Sequence, residues 1–141
     1  MSLAATFAPV FVQVALTFAL LFWAGSVRVA AVRSGAVRAH DVALRQPNWP
    51  ERATQIINAY QSQLELPLLF YLLMVLAFFS AHMTMTLAVL SWLFVASRVL
   101  HALVHVTTNE MRRRFFLFTA GAVILVLMWL LYLLDVVFGG W

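Results

Sequence analysis

Four long segments rich in apolar residues restrict this chain to an integral membrane fold. They run over about Pro9–Val27, Pro50–Ser80, Met85–Val106 and Phe115–Phe138. Each is long enough to cross a bilayer as an α-helix, which takes about 20 residues. Because 65% of the residues are hydrophobic and 10% are charged, the chain lacks the polar surface of a soluble domain. We therefore predict an all-α, four-helix membrane bundle formed by a single domain over residues 1–141.

The positions of the arginines predict the topology. All of them fall within Arg28–Arg52 or Arg98–Arg114, whereas the connection Ser80–Thr84 has none. Because cytoplasmic loops are enriched in basic residues, we expect both basic connections on the cytoplasmic side and both termini opposite. The sequence pI is about 10.7, but this clustering is a topology signal and not a nucleic-acid footprint. The first segment lacks a basic leader and a clear cleavage site, so we interpret it as a retained span.

The segment between the first two spans is predicted to leave the membrane and then turn. It carries arginines spaced among Val and Ala residues, namely Arg28, Arg33, Arg38 and Arg45. We expect it to extend the first helix or to lie at the membrane interface. The sequence Gln46–Pro50 then predicts a turn, with Pro50 at the first position of the second helix and Glu51 complementing the helix dipole.

A stripe of polar residues enters the second span. Its members follow the helical spacing i, i+3, i+4 and i+7 and are Asn58, Gln61, Ser62 and Glu65. A carboxylate at bilayer depth costs about 2.5–3.5 kcal/mol, so we expect Glu65 to be buried against a partner. Pro67 cannot donate to the carbonyl of Gln63, which predicts a kinked helix with a free carbonyl near the acid. The stripe is a candidate functional site, and a structural contact between spans is the alternative interpretation.

The third span carries a second polar face. Arg98, His101 and His105 follow the spacing i, i+3 and i+7, in the half of the span nearest the basic connection. We expect this face to meet the stripe, with Glu65 pairing with Arg98 so that neither charge is left alone. The alternative for Arg98 is snorkelling to the interface. The basic turn Thr107–Arg114 follows, and contact with anionic lipid headgroups is the alternative role of its three consecutive arginines.

The residue types argue against metal chemistry and against a thiol of the protein's own. His101 and His105 have the i, i+4 spacing of a zinc-binding helix, but Ala102 occupies the base position and Glu65 is the one obvious further ligand. Haem needs a facing axial histidine, and the other histidines fall in predicted loops. We therefore predict no metal site. The chain has no cysteine, so any thiol chemistry must use a thiol that a substrate supplies.

Together these features resemble the MAPEG superfamily, the membrane-associated proteins of eicosanoid and glutathione metabolism. The resemblance rests on four spans, on the sequence Ser-Gln-Leu-Glu-Leu-Pro at Ser62–Pro67, and on the Arg-x-x-His-x-x-x-His pattern of Arg98–His105 before a basic turn. It covers nearly the whole chain and is closest to bacterial members with an Asn-Gln-Phe-Glu-Leu-Pro-type signature. It implies a homotrimer in the bacterial inner membrane, with glutathione held between adjacent subunits near the cytoplasmic face.

The resemblance also implies roles for individual residues. The arginine that stabilises the glutathione thiolate in family enzymes falls on Arg114, or on Arg112 if the turn is shorter. His101 and His105 match positions that contact glutathione, and Glu65 matches the acid that binds its amino end.

The stripe departs from the family pattern at three positions. Asn58, Gln61 and Ser62 stand where well-studied glutathione-using members have arginine, arginine and asparagine. Neutral donors hold a carboxylate more weakly, because charge-assisted hydrogen bonds are roughly twice as strong. With Arg98, these residues complete the predicted binding set.

We therefore predict a membrane-embedded, glutathione-dependent transferase or peroxidase, with glutathione as co-substrate. Its other substrates are lipophilic small-molecule electrophiles that enter from the membrane lipid, and a nearby guanidinium favours the nucleophilic thiolate. The competing hypothesis is a non-enzymatic membrane protein that binds lipid or a partner in the same polar cavity. A third is a small proton-coupled transporter that uses Glu65 with His101 and His105.

Overall fold

The computed structural model describes residues 2–44 and 48–139, and in these residues the chain forms five α-helices. They are α1 (Leu3–Arg33), α2 (Glu51–Gln61), α3 (Leu66–Phe79), α4 (Met85–Val106) and α5 (Met111–Phe138), with short 3-10 helices at Ala39–Val42 and Ser62–Leu64. Four units are long and apolar enough to cross a membrane, since α2 and α3 together form one interrupted span. The predicted all-α, four-span architecture is confirmed.

The first helix is longer than the apolar segment predicted from the sequence. α1 begins after Ser2, whose hydroxyl accepts a backbone N–H at 3.2 Å, and continues past Val27 to Arg33. This basic continuation is the helical extension that was one of the two alternatives expected for the segment after Val27, and it is confirmed as far as Arg33. Arg33 lies in the last turn, where a cation complements the helix dipole. Arg45 and the first two residues of the predicted 46–50 turn lie outside the described residues.

The second span is interrupted where a kinked helix was predicted. α2 ends at Gln61, the 3-10 turn Ser62–Leu64 follows, and α3 begins at Leu66. Glu65 lies at the junction, with φ −95° and ψ −101°. A proline ring clashes with the carbonyl four residues back, so the helix stops and restarts with Pro67 in its first turn. The junction turns the acid away from the helical position that continuous spacing predicts for it.

Two buried glutamines support this interruption. Gln13 of α1 donates its side-chain amide to Gln63 Oε1 at 3.0 Å, and the Gln63 amide donates to the Ala59 carbonyl at 3.2 Å. Both glutamine side chains are essentially inaccessible to solvent. A polar group in a span needs such a partner, and this contact holds the interrupted segment against α1. At the other end of this span, α2 begins at Glu51, with Pro50 just outside the helix rather than at its first position.

The third span matches its predicted bounds, whereas the fourth begins earlier than predicted. α4 starts after Thr84, whose hydroxyl accepts the Leu87 amide at 3.2 Å. α5 begins at Met111 rather than Phe115, so the three arginines lie in its first helical turn and not in the preceding connection. Asn109, with φ +51°, closes that connection by donating its N–H to the Val104 carbonyl at 2.7 Å.

α4 is the central helix of the bundle. One apolar cluster joins it to α3 and α5 around the stacked rings of Phe70 and Phe94, whose centroids are 4.7 Å apart. A second cluster joins it to α1 and α2 around Ile56 and Ala102. Because neighbours cover α4 on several sides, most of its polar residues are buried inside the protein, namely Ser91, Ser97, Arg98, His101 and His105.

The contact between α4 and α5 depends on a glycine. A Cβ atom placed on Gly121 would lie 2.8 Å from Ser97 Oγ, which is closer than real Cβ atoms approach other atoms. The Ser97 hydroxyl itself donates to the Phe94 carbonyl at 2.7 Å. The absence of a side chain at Gly121 therefore lets α5 lie against α4 next to Arg98.

Candidate functional site

A polar cavity of about 450 Å³ lies between α2, α4 and α5, at the end of the bundle that carries the arginine-rich connections. Its polar lining is formed by Asn58, Gln61, Ser62, Glu65, His101, His105 and Arg114. Its apolar lining is formed by Met111, Phe115 and Phe118. The whole predicted stripe, both predicted histidines and one of the two predicted arginines therefore contribute to one cavity.

The wall contributed by the second span is open on one side. Ser62 is buried, whereas Asn58, Gln61 and Glu65 are exposed in the single chain. The expectation that Glu65 is buried is therefore wrong for this chain alone. Asn58 and Gln61 on the continuous helix α2 are exposed as well, so this side of the stripe has no covering neighbour within the single chain.

Arg98 contacts Ser62 and not the predicted Glu65. One of its terminal nitrogens donates to the Ser62 carbonyl at 2.9 Å and to the Ser62 hydroxyl at 2.8 Å. The ion pairs among the described residues do not include one between Arg98 and Glu65, so the predicted pairing is wrong. The 3-10 turn presents a backbone carbonyl to the guanidinium, and this carbonyl takes the place that the acid was expected to occupy.

Arg98 also lies behind the cavity wall. It has 0% exposure, so it does not snorkel to the interface, and its guanidinium carbon lies 5.8 Å from the ring centroid of Phe118. Among the described residues that line the cavity, Arg98 is not included, but both Ser62 and Phe118 are. Its visible effect is to hold the turn that carries Ser62 against α4.

His101 and His105 present two imidazoles to the cavity. Their rings are 5.6 Å apart and nearly perpendicular, and the ring of Phe118 lies 6.1 Å from that of His101. The Nδ1 atoms of both histidines are buried and have no hydrogen-bond partner among the described residues. Gln55 of α2 donates to the His105 carbonyl at 2.8 Å, which fixes the end of α4 beside the cavity.

The three consecutive arginines point to different sides of α5. Successive residues on an α-helix are rotated by about 100°, so three consecutive residues spread over about 200° and cannot all share one face. Arg114 lines the cavity, whereas Arg112 and Arg113 line a separate groove on the outer surface. Of the two predicted thiolate-stabilising positions, the structure brings Arg114 to the histidines and leaves Arg112 outside.

Asn109 orients Arg114 and was not among the residues predicted from the sequence. Its side-chain oxygen accepts a hydrogen bond from Arg114 Nη1 at 2.7 Å. Asn109 adopts φ +51°, a left-handed conformation that asparagine tolerates better than most residues. The Arg114 Nε atom is buried and has no hydrogen-bond partner among the described residues. An asparagine in a short connection before a basic helix was the available signal.

The apolar lining of the cavity was also not predicted from the sequence. Met111 and Phe115 are 78% and 70% exposed, so they form a lip at the mouth of the cavity. With Phe118 and Arg114 they follow the spacing of one helix face, which becomes recognisable once α5 is known to start at Met111. The cavity therefore joins a polar interior to an apolar entrance.

The described residues include no group of three or more His, Cys, Asp or Glu side chains able to hold a metal ion. His101 and His105 are the nearest approach to such a group on α4. Glu65 does not complete a set of three with them.

The comparison with protein families gives one match. The model of the MAPEG family matches residues 6–134, which include almost all of the four spans and the whole cavity lining. No curated protein and no solved structure matches the chain with significance. The match covers far more than half of the sequence and agrees with the multi-pass helical architecture. The chain belongs to the MAPEG family and is a multi-pass integral membrane protein of the glutathione and eicosanoid metabolism superfamily.

Proposed function

We propose that the protein is a membrane-embedded, glutathione-dependent transferase or peroxidase that acts on lipophilic electrophiles. The observation that carries this proposal is the composition of one cavity. It contains a carboxylate, Glu65, two histidines and a guanidinium, Arg114, beside an apolar entrance. A tripeptide thiol and an apolar partner require both kinds of surface.

The donor set fits the chemistry of glutathione, which carries one ammonium group, two carboxylates and a thiol. Glu65 is an acceptor for the ammonium group, and the side-chain amides of Asn58 and Gln61 are donors for carboxylates. The cavity volume of about 450 Å³ is typical of small-molecule sites, which span about 300–1,000 Å³.

The unpartnered nitrogens of the cavity, and above all that of the Arg114 guanidinium, also support a ligand with an anionic group. Arg114 Nε and the Nδ1 atoms of His101 and His105 have no hydrogen-bond partner among the described residues. Buried polar atoms in proteins are nearly always paired, so a ligand in the cavity can supply the missing partners. The Nε–H of Arg114 donates, so it is suited to a ligand that accepts hydrogen bonds. A thiolate or carboxylate is such a ligand, and a hydrogen bond to it from a guanidinium is charge-assisted.

In this mechanism Arg114 is a catalytic residue and Asn109 is a positioning residue. Glutathione supplies the nucleophilic sulfur. Arg114 stabilises the negative charge on that sulfur, and Asn109 holds the guanidinium through the 2.7 Å hydrogen bond to its side-chain oxygen. Phe115 and Met111 exclude water at the entrance and admit an apolar electrophile from the bilayer. Proximity and electrostatic stabilisation suffice, and no covalent intermediate on the protein is required.

We also propose that the active form is a homotrimer. Asn58, Gln61 and Glu65 lie within a span, yet they are exposed in the single chain. Polar groups that face lipid are costly, so a second copy is expected to cover this side of the cavity. The number three comes from the resemblance to the superfamily. Native mass spectrometry that finds monomers alone in mild detergent would count strongly against this assembly.

Calorimetry of glutathione binding to the detergent-purified protein tests the proposal. We expect Glu65→Gln to weaken binding by at least about tenfold, because a charge-assisted hydrogen bond contributes roughly 1.5–3 kcal/mol. Glu110→Gln is the matched control, because Glu110 forms an ion pair with Arg113 on the outer side of α5. Binding by the control should equal that of the wild type. No binding by the wild-type protein would exclude glutathione and favour the non-enzymatic lipid- or partner-binding function.

A further inference from the structure

A second charged surface lies on the outer side of α4 and α5, away from the cavity. It is a groove of about 410 Å³ lined by Val104, Arg112, Arg113, Phe116 and Leu117. We call it the outer groove. None of its residues lines the cavity that contains Arg114. The proposed catalytic function therefore leaves this surface unexplained.

The outer groove carries an uncompensated positive charge. Arg113 Nε forms an ion pair with Glu110 Oε2 at 2.7 Å, so one of the two cations is largely neutralised. The hydrogen bonds and ion pairs of the described residues include none for the Arg112 side chain, which is exposed. One guanidinium is thus available to an anion at the basic end of the bundle.

The rest of the outer groove is apolar and continues along the span. Phe116 is 71% exposed, and Leu103 and Leu100 on α4 are 53% and 51% exposed. Leu100, Leu103 and Val104 follow helical spacing, so they form one apolar strip that leads from the arginines toward the middle of the span. A cation at the end of a span complements the anionic headgroup of a lipid, and the adjacent apolar strip complements its acyl chain.

We propose that the outer groove binds one anionic phospholipid. Arg112 holds the phosphodiester, and an acyl chain lies along Phe116 and the exposed leucines of α4. A zwitterionic headgroup carries its own cation, which Arg112 repels, so the groove favours a headgroup with net negative charge. The apolar strip distinguishes the lipid from a free phosphate, because the strip gains stability by contact with an acyl chain.

Native mass spectrometry of the protein with dioleoylphosphatidylglycerol in mild detergent tests this proposal. We expect Arg112→Gln to weaken binding of the first lipid about fivefold, the effect of one arginine near a membrane surface. Arg38→Gln is the matched control, because it removes the same charge from a side chain that is 88% exposed and is not part of the outer groove. The control should change the affinity less than about twofold.

Two further comparisons distinguish a lipid site in the outer groove from nonspecific attraction between the arginines and any anion. Phe116→Ala should also weaken binding, whereas Phe79→Ala, a substitution of a similarly exposed ring at the far end of α3, should not. Dioleoylphosphatidylcholine should bind more weakly than dioleoylphosphatidylglycerol. Inorganic phosphate should not displace dioleoylphosphatidylglycerol. Equal losses in Arg112→Gln and Arg38→Gln, or displacement by inorganic phosphate alone, would overturn the proposal.

Discussion

The first turn of α5 carries arginines both on the side that faces the cavity and on the side that faces the outer groove. The surroundings of the arginines differ between the two sides. Arg114 is half-buried, held by Asn109 and placed beside two histidines. Arg112 and Arg113 are exposed and line an apolar groove. A rotation of about 100° per residue is enough to produce this separation. Position on the helix, and not the number of arginines, therefore decides which of them faces the cavity.

The largest expected effect is that of removing Arg114, the arginine that faces the cavity. Arg114→Ala should lower the rate of conjugation of glutathione to a lipophilic electrophile about 100-fold, the typical loss when one donor to a developing anion is removed. Arg113→Ala should stay close to the wild type, because its guanidinium is turned to the outer groove. Steady-state kinetics in detergent measure both. Equal losses of conjugation rate in the two variants would contradict the proposed difference between Arg114 and Arg113.

A smaller effect is expected from Asn109, which acts through Arg114. Asn109→Gly should lower the rate about tenfold, because the guanidinium loses one charge-assisted hydrogen bond. Glycine adopts φ +51° without strain, so the backbone of the connection is preserved. Asn109→Asp keeps an acceptor and should retain the orientation of Arg114, which separates positioning from folding. If Asn109→Gly has wild-type kinetics and an unchanged KM, the asparagine serves the turn alone.

The contact between Arg98 and Ser62, which lies behind the cavity wall, can be tested by a double-mutant cycle on thermal stability. Arg98→Met and Ser62→Ala should be non-additive by about 1 kcal/mol, because the two side chains share a hydrogen bond of 2.8 Å. Arg98→Met and Glu65→Gln should show weaker coupling, because Glu65 acts on the guanidinium at longer range and without an ion pair. Stronger coupling to Glu65 than to Ser62 would contradict the observed geometry.

The smallest expected effect concerns the glycine that lets α5 approach α4. Gly121→Ala should destabilise the protein by about 1 kcal/mol, because the new methyl group meets Ser97 Oγ. Adding Ser97→Ala should recover part of the loss. Gly25→Ala is the control, since nothing lies within 4 Å of a Cβ at that position, and alanine is the better helix former. Equal stability changes at the two glycines would mean that the close approach is not required.

Much of the cavity could be predicted from helical spacing. Asn58, Gln61 and Ser62 share one face of the second span, and His101 and His105 share one face of α4. Periodicity determines which side chains lie together on a helix, and the cost of polar groups in lipid determines that such faces turn inward. The bounds of α4 followed from the apolar segment between a short polar connection and a basic turn.

The details that periodicity did not provide depend on the ends of helices. The interruption at Ser62–Glu65 replaced the expected pairing of Arg98 and Glu65 with a contact to a backbone carbonyl. The start of α5 at Met111 decided between Arg112 and Arg114, and it depends on the left-handed conformation of Asn109. Backbone conformations in such short segments depend on tertiary contacts, which a sequence pattern does not report.

We propose that the cavity holds glutathione with Arg114 at its sulfur. The most direct test of this proposal is the thiolate absorbance of glutathione added to the wild type and to the variants Arg112→Ala, Arg113→Ala and Arg114→Ala. We predict a thiolate signal in the wild type and in the first two variants, and its loss in Arg114→Ala with much of the binding retained. A wild-type protein that binds glutathione without a thiolate signal, or three variants that behave alike, would contradict the claim.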